Sequence, residues 1–173
     1  MTRRLILIRH GQTTYNATGR MQGHLDTELS EVGYEQAKGA AAMLRDKNIS
    51  AIVCSDLIRA RETARVIGEE LGLEPSIDAR LRETNLGDWQ GMSSVEVDEE
   101  FPGARAIWRH DPTWAPPQGE SRVDVAKRAR PDFNPGNPTS SLEFTPDNVD
   151  GAKWYFDGWN MGAHVVGGAG ADV

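Results

Sequence analysis

Two short apolar runs, each followed by residues at helical spacing, constrain the fold of this chain more than any other feature. The first is Leu5–Ile8; the second lies in "ISAIVCSD", Ile49–Asp56. Both are too short for helices and rich in β-branched residues, so they predict strands buried on both faces. After the first, Ser30 is placed to N-cap a helix reaching about Asp46, with Ala37, Ala40, Ala41 and Leu44 on one face. After the second, Leu57, Ala60, Ala64, Ile67 and Leu71 recur at steps of three and four, and Gly72 ends the pattern. "PSIDARLRE", Pro75–Glu83, predicts a third short strand and its exit. Strands alternating with helices of this length define an α/β fold with a mostly parallel sheet and right-handed crossovers. The expected architecture is a three-layer α/β/α sandwich with Leu5–Ile8 as a central strand.

The remaining segments follow from local signals. Gly11–Glu28 reads as a loop, and Gly87–Gly91 as a turn. Ser93 or Ser94 starts a short helix, Trp108–Ser121 is a Pro-containing loop, and Ser121–Arg130 is helical. The composition shifts at Pro131, where "PDFNPGNPTSS" brings three prolines. A single domain over residues 1–173 is expected: a core to 130, a linker or junction over 131–140, and a C-terminal edge strand and tail over 141–173. "KWYFDGWN" supplies that strand.

Charge and composition exclude several classes. The formal net charge is -7, which argues against nucleic acid or an anionic membrane surface as partner. No apolar stretch approaches the roughly 18 residues a membrane span needs, and the N-terminal run is shorter than a signal peptide core. The chain has one cysteine, Cys54, which fits a reducing compartment; a cytoplasmic protein is expected. Cys54 and Arg59 are one residue too close for a cysteine phosphatase loop, so a buried thiol is the plainer reading. No His/Cys cluster has metal-ligand spacing, and no GxxxxGK[ST] loop is present.

In a parallel sheet, ligands bind at the carboxyl ends of the strands. The strand ends here deliver Arg9-His10-Gly11, then Ser55-Asp56 with Arg59 just beyond, then Arg82-Glu83. Arginine forks bind phosphate oxygens bidentately, and fixed cations stabilise the charge of a transferring phosphoryl group. An imidazole nitrogen can attack phosphorus, splitting hydrolysis into two steps. Gly11 leaves room for the backbone to approach a ligand, and Glu83 is placed to protonate the leaving oxygen. Plainer readings compete: Arg59 paired with Glu62 or Glu69 on the helix surface, Arg82 simply holding Glu83, and Arg61 and Arg65 solvated. Solvated His24 and His110 and packing roles for Trp89, Trp108 and Trp114 complete that set.

These residues sit in blocks with a resemblance. "LIRHGQTTYN" resembles the signature of the histidine phosphatase superfamily, the phosphoglycerate mutase-like group. "GRMQGHLDTELSEVGYEQA", "SDLIRARETA", "LRETNLGDWQG" and "GES" resemble later blocks, in order, so the match covers roughly residues 4 to 130. The resemblance implies that His10 is the phosphorylated nucleophile, that Arg9 and Arg59 clamp the phosphate, and that Glu83 is the proton donor. Asn16 and Gln22 would line the phosphate or sugar side, and Gly11 and Gly23 would shape the loops; Arg82, read from its place at the strand exit, either touches the substrate or holds Glu83. It implies no cofactor and no metal, a small phosphorylated metabolite as substrate (a sugar-linked phosphoglycerate by detail), and room for a homodimer.

One family residue has no counterpart. The family carries a second histidine after a late buried strand, in a "SHGG"-like turn; here His164 follows no apolar strand and is a poor substitute. The resemblance implies that a βα unit of at least about 30 residues is missing at or near Pro131. Two other readings therefore stand beside a phosphatase: a truncated, catalytically silent phosphate-binding relative, and a mutase using the same nucleophile.

Overall fold

The computed structural model of the chain describes residues 6–129. Its elements run α1 (Thr14–Ala17), α2 (Glu31–Leu44), β1 (Val53–Cys54), α3 (Ile58–Leu71), β2 (Ser76–Ile77), α4 (Ser94–Glu100), α5 (Ala104–His110) and α6 (Arg122–Ala129), with 3-10 turns at Arg45–Lys47, Ala79–Leu81 and Gly87–Trp89. His10–Ala129 form one unit, while Ile6–Arg9 fall in another. The junction at 131–140, the strand and tail of 141–173, and His164 lie outside the described residues.

Helix α2 begins where Ser30 Oγ accepts the Gly33 N–H at 3.1 Å, as the sequence predicts. Its buried face is Gly33, Ala37, Ala41 and Leu44. Helix α3 buries Ala64, Ile67 and Gly68 and stops at Gly72. The small residues on both faces let the two helices pack closely against each other. Burial of Leu44 and Ile67 contributes about 1.5–3 kcal/mol each, far more than any exposed ion pair on these helices.

The sheet packs on α3, the helix that joins its two strands in an α/β arrangement. β1 and β2 are parallel, with Val53 opposite Ser76 and Cys54 opposite Ile77. The connection through α3 is the predicted crossover. Cys54 is a free, buried thiol, as expected, and burial raises its pKa.

A second cluster is aromatic. Trp89 is fully buried and meets Trp108 edge-on at 5.9 Å, Trp114 at 5.6 Å and Phe101 at 6.3 Å. These rings are packing residues, which agrees with their sequence reading. Helix α4 carries a capping box between Ser93 and Glu96.

Three expectations are corrected. Ile6–Ile8 join no strand, and Ile8 is 44% exposed; a run this short has no period of its own and becomes a strand only through neighbouring ladders. Trp108–His110 belong to α5, not to a loop. Burial of Trp108 against Trp89 carries the helix that far, and Pro112 follows its cap at Asp111 as a stop signal. The loop after Gly11 contains α1, closed by a capping box between Thr13 and Asn16.

Candidate active site

His10 is carried by a loop that two helices hold. The Gly11 N–H donates to Thr63 Oγ1 on α3 at 3.0 Å. The Gln12 N–H donates to Gln36 Oε1 on α2 at 2.8 Å, and the Gln12 carbonyl accepts the Ser30 N–H at 2.8 Å. Gly11 itself packs against Gly33: a Cβ on either residue would run into backbone of the other segment. The space Gly11 leaves is thus filled by helix α2, rather than kept for a ligand. Nδ1 of His10 lies 2.7 Å from the Gly11 carbonyl.

Arg59 stands on the first turn of α3, one turn before Thr63, and is 1% exposed. Its charge is compensated by three partners: the Leu25 carbonyl at 2.9 Å, the Gly23 carbonyl at 2.7 Å and Glu83 Oε2 at 2.8 Å. Such charge-assisted bonds are what allow a guanidinium to be buried. The surface pairing with Glu62 or Glu69 falls instead to Arg65. Gly23 adopts φ +53, and a Cβ there would meet the Leu86 nitrogen at 2.9 Å, so the turn that offers its carbonyl to Arg59 favours glycine.

Asn16 and Gln22 meet at Thr13. Asn16 Oδ1 accepts the Thr13 N–H at 3.0 Å, and Gln22 Oε1 accepts the Thr13 hydroxyl at 2.7 Å. Arg82 turns to Asp56, donating from Nε at 2.7 Å and Nη2 at 2.5 Å. That pair holds the Asp56 carboxyl below its ordinary pKa. Arg9 is exposed and belongs to the other unit. His110 is exposed, as read.

His24 corrects its solvated reading. It is half-buried, and its Nε2 lies 2.8 Å from the Glu83 carbonyl, so it donates there. Burial lowers its pKa, opposed by that bond and by Glu120 at 3.8 Å. Sequence reasoning also missed Thr63. Its signal was a hydroxyl four residues after Arg59 on a face otherwise apolar at Ala64 and Ile67. Among the described residues, no group of three or more His, Cys, Asp or Glu side chains is placed to hold a metal ion.

Helix α3 thus carries both the hydroxyl that braces the His10 loop and the buried arginine bonded to Glu83. The chain belongs to the histidine phosphatase superfamily (branch 1), whose sequence profile matches residues 5–134. Among its relatives are glucosyl-3-phosphoglycerate phosphatases. It is 58% identical over 129 residues to that of Mycobacterium tuberculosis (strain CDC 1551 / Oshkosh), covering 75% of this chain and 58% of the relative. It is 59% identical over 129 residues to that of Mycolicibacterium vanbaalenii, covering 75% and 57%. A solved mycobacterial glucosyl-3-phosphoglycerate phosphatase in complex with VO3 matches with TM-score 0.69 at 58% identity, over 70% of this chain and 58% of that one. By sequence, Ser55–Leu57, Leu81–Gly91, Pro112–Pro116 and Gly119–Ala126 resemble those phosphatases. The chain spans about 58% of the length of the relatives it matches.

Proposed function

We propose that this chain hydrolyses a small phosphomonoester through a phosphohistidine at His10. A carbonyl can only accept, so the contact to Gly11 puts the ring proton on Nδ1 and leaves the lone pair on Nε2. Nε2 attacks phosphorus, the bond to the ester oxygen breaks, and Glu83, entering the step as the neutral acid, gives that oxygen its proton and is left as the carboxylate that Arg59 holds. Water then attacks the phosphohistidine, Glu83 takes a proton from it, and the P–N bond breaks to release inorganic phosphate. Arg59 bears the charge of the phosphoryl oxygens in both steps. Asn16, Gln22 and Arg82 line the substrate side, and Gly11 and Gly23 shape the loops that carry it.

The observation that carries this reading is on helix α3. One turn apart, it holds Arg59 bonded to Glu83 and Thr63 bonded to the residue beside His10. The relatives' name supports one particular substrate, glucosyl-3-phosphoglycerate, a sugar-linked phosphomonoester. The lone cysteine, buried as a thiol, suits a cytoplasmic enzyme. No helix among the described residues is long and apolar enough to cross a membrane.

Incubation of the full chain with glucosyl-3-phosphoglycerate and with 4-nitrophenyl phosphate tests the reading. Release of phosphate by the wild type and its loss in His10→Ala are expected. Equal rates for both proteins contradict it. Phosphate binding with no turnover favours the silent relative, and isomerisation of a phosphoglycerate without phosphate release favours a mutase.

A further inference from the structure

Glu83 lies in an irregular stretch between the turns Ala79–Leu81 and Gly87–Trp89. Such a stretch has no ladder of its own to hold a carboxylate within the tight tolerance that acid catalysis requires. Its backbone is held instead by side chains from far along the chain. The Glu83 carbonyl accepts from Arg128 Nη2 at 2.7 Å as well as from His24. Arg128 also donates from Nη1 to the Arg80 carbonyl at 2.7 Å. Its Nε and Nη2 pair with the two oxygens of Glu120 at 2.9 and 3.1 Å. Glu120 completes the clamp: its Oε2 accepts the Asn85 N–H, and its own N–H donates to the Asn85 carbonyl, both at 2.8 Å.

Residues 80, 83 and 85 are therefore fixed by one ion pair. Glu120 comes from the Gly119-Glu120-Ser121 segment, to which the catalytic reading gives no role, and Arg128 from the last turn of α6. Both side chains are about one-fifth exposed, at 23% and 21%. Burial disfavours the charged carboxylate of Glu120, but the bonds from Arg128 and Asn85 outweigh it and lower its pKa.

We propose that Glu120 and Arg128 are positioning residues, which hold the backbone of Glu83 so that its carboxyl meets both Arg59 and the leaving oxygen. This rests on the phosphatase reading for its catalytic consequence, and on the hydrogen bonds alone for its structural one. A well-placed general acid contributes about 10²–10⁴-fold, and it matters most when the departing alkoxide is basic. An alkyl ester needs the proton; 4-nitrophenolate leaves without it. A purely structural role would slow both esters alike.

The test uses the full chain with Arg128→Lys, which keeps the charge but loses the fork, and Glu120→Gln, which keeps the shape. Turnover of glycerol phosphate and of 4-nitrophenyl phosphate is compared, together with amide exchange over residues 82–87. The ratio of alkyl to aryl kcat/KM, which reads the transfer to His10 and not the hydrolysis step the two esters share, is expected to fall roughly ten-fold or more in both variants. Exchange at 83–87 is expected to accelerate while α2 and α3 stay protected. Equal losses on the two esters overturn the catalytic consequence; unchanged exchange overturns the clamp itself. A wild type inactive on both esters contradicts the phosphatase reading instead, and the exchange measurement still decides the clamp.

Discussion

Thr63 Oγ1 lies 3.0 Å from the Gly11 nitrogen and accepts its N–H, while the same hydroxyl donates to the Arg59 carbonyl at 2.8 Å. One buried hydroxyl thus ties the histidine loop to the helix that presents the arginine. Thr63→Val keeps the shape and removes both bonds. It leaves a buried N–H unsatisfied, which costs about 1–3 kcal/mol. The urea midpoint should fall accordingly, and turnover should fall further than stability requires, because His10 loses its brace. A variant matching the wild type in both measurements contradicts this account of Thr63.

Arg59 and Glu83 form a pair in which only the arginine is fully buried; the Glu83 side chain is 27% exposed. Arg59→Met strips donors from the Gly23 and Leu25 carbonyls and removes the Arg59 bond to Glu83. Breaking such a pair from one side costs about 3 kcal/mol, the low end for buried pairs, since water reaches the carboxylate. Chemical denaturation reads the loss directly. A change below about 1 kcal/mol would place this pair among ordinary surface bridges.

Gly33 and Gly39 stand on the same helix and predict opposite outcomes. A Cβ at Gly33 would run into the Gln12 carbonyl, whereas a Cβ at Gly39 meets nothing within 4 Å. Gly33→Ala should destabilise by about 1–3 kcal/mol through overpacking and displace the His10 loop. Gly39→Ala should stabilise by about 0.5–1 kcal/mol through helix propensity. Thermal melts of the two variants should therefore shift in opposite directions, and shifts of the same sign would argue against a tight contact at Gly33.

His24 supplies a pH dependence. Burial sets its folded pKa below the ordinary 6.5; Arg82 and Arg128 push the same way, and Glu120 and the Glu83 carbonyl oppose them. The unfolded chain then takes up the proton first as pH falls. Its stabilising contribution is complete above 6.5 and is lost as pH drops toward the folded value. The stability difference between wild type and His24→Gln, measured by urea denaturation from about pH 8 to about pH 5, should shrink or reverse on the acid side. A difference that stays flat contradicts the burial of this ring.

Much of this was legible in the sequence because it rests on local signals. Ser30 and Gly72 mark helix ends by their own capping chemistry, and the spacing of Leu57 to Leu71 gives a helix without any tertiary information. The parallel direction of strands 53–54 and 76–77 followed from the crossover rule. Contacts between distant backbones were not legible: Gly11 reads as open space until Gly33 is seen filling it. His24 looks like a solvated loop residue until the Glu83 carbonyl reaches it. "WRHDP" reads as a loop because Pro112 dominates locally, whereas burial of Trp108 decides the outcome. Leu5–Ile8 carries the composition of a strand, but Ile6–Ile8 form none, since composition alone does not supply a ladder.

Trapping the intermediate tests the central claim most directly. The full chain is mixed rapidly with 4-nitrophenyl phosphate, quenched in alkali, and read by intact mass and peptide mapping. The account predicts a phosphoryl group on His10 that is lost in acid and absent from His10→Ala. Turnover with His10 unmodified, or a phosphoryl group that persists in His10→Ala, would contradict it.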